Sequence, residues 1–100
     1  MEKQPCVYIL AKKRNGATYV GVTSDLPLRV SQHRMGLFEG HAKRHGIKIL
    51  VWFEQHATME SAIMREKQFK NWKRVWKLEM IEKDNPLWRD LAEDLGFDPL

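Results

Sequence analysis

A β-hairpin near the start of the chain is the feature that most constrains its fold. Residues 7–11 and 17–22 are short runs rich in β-branched and aromatic side chains, separated by the segment KKRNG. The Asn15-Gly16 pair of this segment offers residues that tolerate a positive φ, which a tight hairpin turn requires. The sequence therefore predicts two antiparallel strands joined by a basic turn.

Three helices and one more strand follow the hairpin. Either Ser24 or Asp25 can cap a first helix, and a basic loop bounded by glycines comes after it. Residues 47–55 begin with alternating apolar and polar side chains and continue with a run of apolar ones, which predicts a third strand. Thr58 can cap a second helix, and a third helix around residues 75–82 either follows after a bend or continues directly from the second. The residues predict an α+β fold of order β-β-α-β-α-α around a small three-stranded sheet, mixed or antiparallel.

An acidic tail, residues 89–100, follows a predicted core of residues 5–88. Its short helix should end at Gly96. The apolar residues of this region recur at near-helical spacing, so we expect them to pack against the core with the carboxylates outward. Autoinhibition, with the tail covering a basic site, is the alternative. The apolar residues are Leu87, Trp88, Leu91, Leu95 and Phe97.

Length and composition indicate one globular domain spanning residues 1–100. The chain has 43% hydrophobic and 30% charged residues, and its apolar stretches are too short for a membrane span. Cys6 is the only cysteine, which argues against a disulfide framework and a cysteine-based zinc site. Without a recognisable signal peptide, we expect a cytoplasmic protein that is a monomer or weak dimer and does not bind membranes.

The charge is distributed unevenly along the chain. Residues 1–81 hold 15 Lys or Arg against 7 Asp or Glu, whereas residues 82–100 hold 2 against 6. A basic body suits a polyanionic partner, with nucleic acid as the first candidate, although a solvated surface of mixed charge is the alternative. The cations expected to contact nucleic acid are Lys12, Lys13, Arg14, Arg34, Lys43, Arg44, Lys70, Lys73 and Arg74.

Glu66 is a carboxylate on the apolar stripe of the second predicted helix. It lies four residues after Ala62 and three before Phe69, so it points toward the core. A buried, unpartnered carboxylate is strongly unfavourable, so Glu66 must be paired, protonated or bound to a cation. The alternative is a carboxylate at the edge of the stripe that pairs with Arg65 or Lys70.

Four further residues are candidates for phosphodiester chemistry. Arg29 and His33 lie four apart on one helical face, where a guanidinium can bind a phosphate and an imidazole can move a proton. Tyr8 and Tyr19 lie on the two arms of the hairpin, and a nearby cation can lower the pKa of a phenol. The alternative is that the tyrosines pack in the core and that the other two are ordinary surface residues.

The segment FKNWKRVWK, residues 69–77, interleaves aromatic and basic side chains. On one continuous helix the aromatic residues would share a stripe with the cations beside it. We interpret Trp72 and Trp76 as core residues and the cations as contacts to phosphates.

His41 and His45 are also four residues apart, but they do not form a recognisable metal motif. The spacing lacks the glutamate of a helical HExxH motif and a third ligand nearby. We therefore do not expect zinc there.

Taken together, these residues resemble the GIY-YIG nuclease superfamily, and in particular its small stand-alone members of the UPF0213 and excinuclease-subunit-C-like subgroup. VYI at residues 7–9 and YVG at residues 19–21 match the two motifs that give the family its name. Arg29 and His33 match its R-x3-H motif, and Glu66 after Ala62 matches its metal-binding glutamate. Val7 replaces the usual glycine of the first motif. Asn85 and His41 are only tentative matches to further family residues.

The resemblance implies a three-stranded antiparallel sheet with Tyr8, Tyr19, Arg29, His33 and Glu66 on one concave face. It implies Mg²⁺ or Mn²⁺ held by Glu66, with Arg29 on the scissile phosphate. Tyr8, helped by Tyr19 or His33, would accept the proton of the attacking water. The expected function is metal-dependent cleavage of DNA, or of RNA, with low sequence specificity.

Two other functions remain open from the sequence. The chain can be a nucleic-acid-binding module that cleaves weakly or only with a partner, or a protein-interaction domain whose basic face meets an acidic protein.

Overall fold

A three-stranded antiparallel sheet forms the centre of the protein. The computed structural model describes residues 4–37 and 46–100. The central strand is β1 (Cys6–Ala11), which pairs with β2 (Thr18–Thr23) on one side and β3 (Ile49–Gln55) on the other. Both pairings are antiparallel, which decides between the mixed and antiparallel sheets that the residues alone allow.

In the described part of the chain, three α-helices cover the sheet: α1 (Leu26–Arg34), α2 (Met59–Lys70) and α3 (Arg74–Asp84). A 3₁₀ helix (Leu91–Leu95) follows them. The predicted order β-β-α-β-α-α and the α+β class are therefore confirmed. Among the described residues, no helix combines the length and apolar character needed to cross a membrane.

Side-chain caps fix where the first two helices begin. Asp25, rather than Ser24, caps α1, since its Oδ1 accepts a hydrogen bond from the backbone N–H of Leu28 at 3.2 Å. Thr58 caps α2 in the same way, with its Oγ1 accepting from the N–H of Ser61 at 3.1 Å. Each cap satisfies a backbone donor that the first helical turn leaves without an intrahelical acceptor.

The hairpin turn closes through two backbone hydrogen bonds. Lys12 N–H donates to the carbonyl of Ala17, and Gly16 N–H donates to that of Lys13, both at 2.9 Å. Asn15 has a φ of 57°. Of the predicted pair, Asn15 has a positive φ and Gly16 does not. The backbone conformation of the turn therefore does not require a glycine at residue 16.

Alternating side chains of β1 divide the core into two layers. Val7 and Ile9 face α2 and α3, where Phe69 and Ile81 are also fully buried. The opposite face carries Cys6, Tyr8 and Leu10, which pack with residues of α1 and the 3₁₀ helix. Tyr8 is therefore a core residue on the layer that α1 covers.

The C-terminal tail packs against the same layer as α1. Ala92 is buried, and Leu91, Leu95 and Phe97 are partly buried beside it. The predicted helix is a short 3₁₀ helix that ends at Gly96, whose φ is 95°. Leu87 differs from the prediction because its side chain is 80% exposed.

Candidate active site

The phenol of Tyr8 is buried in the middle of the sheet, directly against the neighbouring strand. Gly21 is the residue opposite it on β2. A Cβ added to Gly21 would overlap Cζ and Oη of the Tyr8 side chain. The absence of a side chain at residue 21 therefore makes room for the phenol. Gly21 is the last residue of the second motif, but no packing role was predicted for it, although a glycine inside a strand often marks such a close approach.

Three aromatic rings meet around this phenol. The hydroxyl of Tyr8 and Nε2 of His33 are 3.0 Å apart. The ring centroid of Tyr19 lies 6.3 Å from that of Tyr8 and 5.3 Å from that of His33. Residues from β1, β2 and α1 thus converge, which is the grouping expected from the resemblance.

Burial gives Tyr8 and His33 complementary protonation states. Desolvation raises the pKa of Tyr8, and the nearby Tyr19 raises it further. Desolvation lowers the pKa of His33, and the charge of Arg29 lowers it further. At neutral pH the phenol is therefore protonated and the imidazole neutral. In the tautomer with an unprotonated Nε2, Tyr8 donates its hydrogen bond to His33 and can transfer that proton to it.

Arg29 and Glu66 have opposite effects on the pKa of this phenol. The charge of Arg29, and a hydrogen bond from it to the phenol, lower the pKa of Tyr8, whereas the charge of Glu66 raises it. The expectation that a cation lowers the pKa of this phenol is not met overall: Arg29 lowers the pKa, but burial outweighs that effect and the pKa of Tyr8 is raised. The other four residues of the predicted catalytic group therefore lie in contact with Tyr8 or close enough for their charges to act on it.

The carboxylate of Glu66 is largely buried and is paired within its own helix. Its side chain is 17% exposed, and its Oε1 lies 3.3 Å from Nζ of Lys70. Of the two cations considered for it, Lys70 is therefore the partner. Arg65 instead places its Nε 3.2 Å from Oε1 of Glu54, on the neighbouring strand.

The carboxylate of Glu66 offers the oxygen atoms that a hard divalent cation takes as ligands. Within residues 4–37 and 46–100, no three His, Cys, Asp or Glu side chains are grouped as a metal site. Glu66 would therefore be a single protein ligand, with water and substrate oxygens as the others. Mg²⁺ is commonly bound in this way because it retains several of its waters.

Asn85, the tentative match to a late family residue, has a structural role. It is 5% exposed, and its Nδ2 donates to the carbonyl oxygens of Val51 at 3.1 Å and Arg89 at 2.9 Å. Its Oδ1 accepts from the N–H of Arg89 at 3.1 Å. These bonds join the end of α3 to β3, and none of them reaches the group around Tyr8.

Arg34 was expected on the nucleic-acid surface, but the structure places it inside the protein. Its Nη2 donates to Oδ2 of Asp90 at 2.8 Å, and its Nη1 donates to the carbonyl of Asp98 at 2.6 Å. The side chain of Arg34 is 13% exposed. Its charge is neutralised by the tail, so it is not available to a phosphate.

The other cations expected to contact nucleic acid lie on two adjoining elements. Lys12, Lys13 and Arg14 are exposed on the hairpin turn. Arg74 ties α3 to that turn, because its Nη2 donates to the carbonyls of Asn15 and Gly16, both at 2.8 Å.

Lys70 and Lys73 lie just before α3, at the end of α2 and in the connection that follows. Lys43, Arg44 and His41 fall outside the residues that the structure describes.

Residues 4–80 match the family described as the GIY-YIG catalytic domain. The chain belongs to the GIY-YIG family. The resemblance inferred from the short motifs is thereby confirmed, and it places this GIY-YIG chain in a nuclease superfamily.

Relatives of this GIY-YIG chain carry the name UPF0213. A UPF0213 protein of Staphylococcus haemolyticus is 32% identical over 77 residues, which cover 77% of this chain and 93% of the relative. One of Bacillus pumilus is 31% identical over 83 residues, covering 83% and 85%. The solution NMR structure of a UPF0213 protein from Bacillus halodurans covers 90% of this chain and 95% of that one, with a TM-score of 0.55. At 23% identity, the last comparison shows a common fold.

Proposed function

We propose that the chain is a divalent-metal-dependent endonuclease that hydrolyses phosphodiester bonds in DNA with low sequence specificity. The observation that carries this proposal is the 3.0 Å contact between His33 and the hydroxyl of Tyr8, at a place where the charges of Arg29 and Glu66 both shift the pKa of that phenol. Hydrolysis of a phosphodiester needs a group that accepts a proton from water, a cation for the phosphate and an anion that can hold a metal. This cluster offers all three.

The proton pathway begins at the phenol. As water attacks phosphorus, Oη of Tyr8 accepts the proton of the water and passes its own proton to Nε2 of His33. The depressed pKa of His33 keeps the imidazole neutral before the reaction and therefore able to accept. Without such an exit, a phenol whose pKa is raised by burial would be a poor base.

Arg29 is the residue that we assign to the scissile phosphate. Its half-buried guanidinium lies beside the phenol, so a phosphate next to the attacking water would be within its reach. A guanidinium offers several donors in one plane, which suits an oxyanion with developing charge.

Glu66 is the residue that we assign to the metal. When bound, a divalent cation supplies positive charge to the scissile phosphate and to the leaving oxygen. Lys70 holds the carboxylate in the structure, at 3.3 Å, and must give up that contact. Since the side chain of Lys70 is 57% exposed, it can turn away into solvent.

Low sequence specificity follows from the type of contact that the exposed cations make. Lysine and arginine on a turn and at a helix terminus reach phosphates, which are the same in every sequence. Binding should therefore weaken steeply with salt.

A panel of substrates tests the proposed function. Branched, nicked, single-stranded and duplex DNA, with matching RNA, are incubated with Mg²⁺, with Mn²⁺ or with EDTA. The proposal requires products from at least one substrate that appear only with the metal. Salt-dependent binding without any product would favour a binding module. The absence of both would favour a protein-interaction domain.

A further inference from the structure

The corner where α2 meets α3, residues 70–78, carries an exposed indole among cations. Trp76 is 47% exposed, so the interpretation of both tryptophans as core residues is wrong for Trp76. Residues 67–78 hold five Lys or Arg and no Asp or Glu. About half of this large aromatic residue is therefore exposed, within a segment whose charged residues are all basic.

A row of rings connects this indole to the core. The centroids of Trp52 and Phe69 are 5.2 Å apart, those of Phe69 and Trp72 are 4.9 Å apart, and those of Trp72 and Trp76 are 6.2 Å apart. Trp52 is 4% exposed, so the row runs from the interior to the surface. Its contact with Trp72 therefore holds the indole of Trp76 in place. A ligand that stacks on the indole then costs little additional side-chain entropy.

The cations around the indole suit the sugar-phosphate backbone of a nucleic acid. Nζ of Lys73 lies 5.6 Å from the ring centroid of Trp76. Lys70, the partner of Glu66, is the last residue of α2, so the corner begins one helical turn beyond the proposed metal ligand. Nucleic acid bound at Glu66 would thus extend over a surface that offers both cations and a ring face.

We infer that Trp76 stacks on an unpaired base of the substrate, so that the substrate class is nucleic acid with a single-stranded segment beside the cleaved bond. The inference rests on the proposed function, because that function supplies the nucleic acid. An aromatic platform flanked by cations is the combination by which proteins bind single strands. In a continuous duplex each base already stacks on its neighbours, so the indole would gain no base there.

Binding without metal tests the inference separately from cleavage. Fluorescence anisotropy in EDTA compares a single-stranded oligonucleotide with a blunt duplex. We expect Trp76→Leu to weaken single-strand binding by about 5- to 150-fold, the contribution of one base stacked on an aromatic side chain, and to leave duplex binding nearly unchanged. Val75→Ala, at a neighbouring residue that is 50% exposed, is the matched control and should change neither.

Two further measurements separate stacking from charge. Lys73→Gln should weaken single-strand binding and reduce its salt slope by about 0.7, whereas Trp76→Leu should leave that slope unchanged. Stacking should also quench the tryptophan fluorescence of the wild type and leave Trp76→Phe much less quenched.

Equal single-strand affinity of the wild type and Trp76→Leu would overturn the inference, as would quenching that persists in Trp76→Phe. If Trp76→Leu fails to fold, the quenching comparison alone decides. Cleavage that does not depend on Trp76 would overturn the inference and leave the proposed function intact. Trp76-dependent binding without any cleavage would support the inference and contradict the proposed function.

Discussion

Substitution of Arg29 is the single-residue change that most clearly distinguishes a catalytic role from a packing role. It acts on both Tyr8 and His33. Loss of one charged contact to a transition state typically costs about 2.7–4 kcal/mol, or about 10²–10³ in rate. We therefore expect Arg29→Ala to reduce single-turnover cleavage by about that factor, with Arg29→Lys less affected. A loss below about threefold in Arg29→Ala would remove Arg29 from the mechanism.

Lys70 competes with a metal for the carboxylate of Glu66. An exposed ion pair contributes up to about 1 kcal/mol, so removing it should tighten metal binding by up to about fivefold. We expect Lys70→Gln to reach half-maximal cleavage at a lower Mg²⁺ concentration. Lys67→Gln, an exposed lysine on the same helix, is the control. An unchanged or higher Mg²⁺ requirement in Lys70→Gln would show that the ion pair does not compete with the metal.

His33 should make stability depend on pH. Its pKa in the folded protein lies below the ordinary value of 6.5, so between those two values the unfolded chain binds more protons. The free energy of unfolding should therefore fall as the pH drops below 6.5 toward the folded-state pKa. Urea titrations across this window should give a shallower decline for His33→Gln. Equal declines would mean that burial does not keep His33 neutral.

At the scale of elements, the tail is joined to α1 and β3 by one buried ion pair. The side chains of Arg34 and Asp90 are 13% and 10% exposed. Oδ1 of Asp90 also accepts from the N–H of Leu50 at 3.2 Å. Among the described residues, Nε of Arg34 is buried without a hydrogen-bond partner, so its guanidinium depends strongly on Asp90.

Removing one member of this pair should destabilise the fold. A buried charge that loses its partner typically costs about 3–5 kcal/mol. We expect Asp90→Asn to lower the free energy of unfolding by about this amount in urea titrations. Asp94→Asn, at an exposed residue of the same segment, should change it little. Similar stability of the two variants would show that the Arg34–Asp90 pair does not anchor the tail.

Local sequence signals predicted the elements well because they act over a few residues. Asn15 marks the turn and Thr58 caps α2, and each signal lies within the segment that it shapes. The contacts between elements were not predictable in this way. Arg34 and Asp90 are 56 residues apart, so nothing near Arg34 in the chain indicates that it is buried.

The candidate site shows the same division. Spacing and side-chain chemistry made five residues candidates, the resemblance joined them into one site, and the fold brings them together: Tyr8, Tyr19, Arg29, His33 and Glu66. The contact between Tyr8 and Gly21 depends on the register of β1 against β2 and was not foreseen. The exposure of Trp76 depends on how α3 leaves α2, which helical periodicity along one continuous helix could not show.

At the scale of the whole molecule, charge separates a basic body from an acidic tail. Glu93 and Asp94 are exposed, as predicted for outward carboxylates, but Asp90 points inward to Arg34. The tail also contributes Ala92 to the core beneath α1. These contacts favour a structural role for the tail over autoinhibition.

The central claim is that Glu66 holds a metal for phosphodiester cleavage beside Tyr8. Glu66→Gln keeps the shape of the side chain and removes its charge, and Glu79→Gln makes the same change at an exposed residue of α3. The decisive measurement is Mg²⁺-dependent product formation by the two variants and the wild type on the same DNA, with DNA binding and thermal unfolding as controls for folding. We expect Glu79→Gln to cleave like the wild type, and Glu66→Gln to fold and bind DNA without cleaving it. Cleavage by folded Glu66→Gln at the wild-type rate would contradict the assignment of the site.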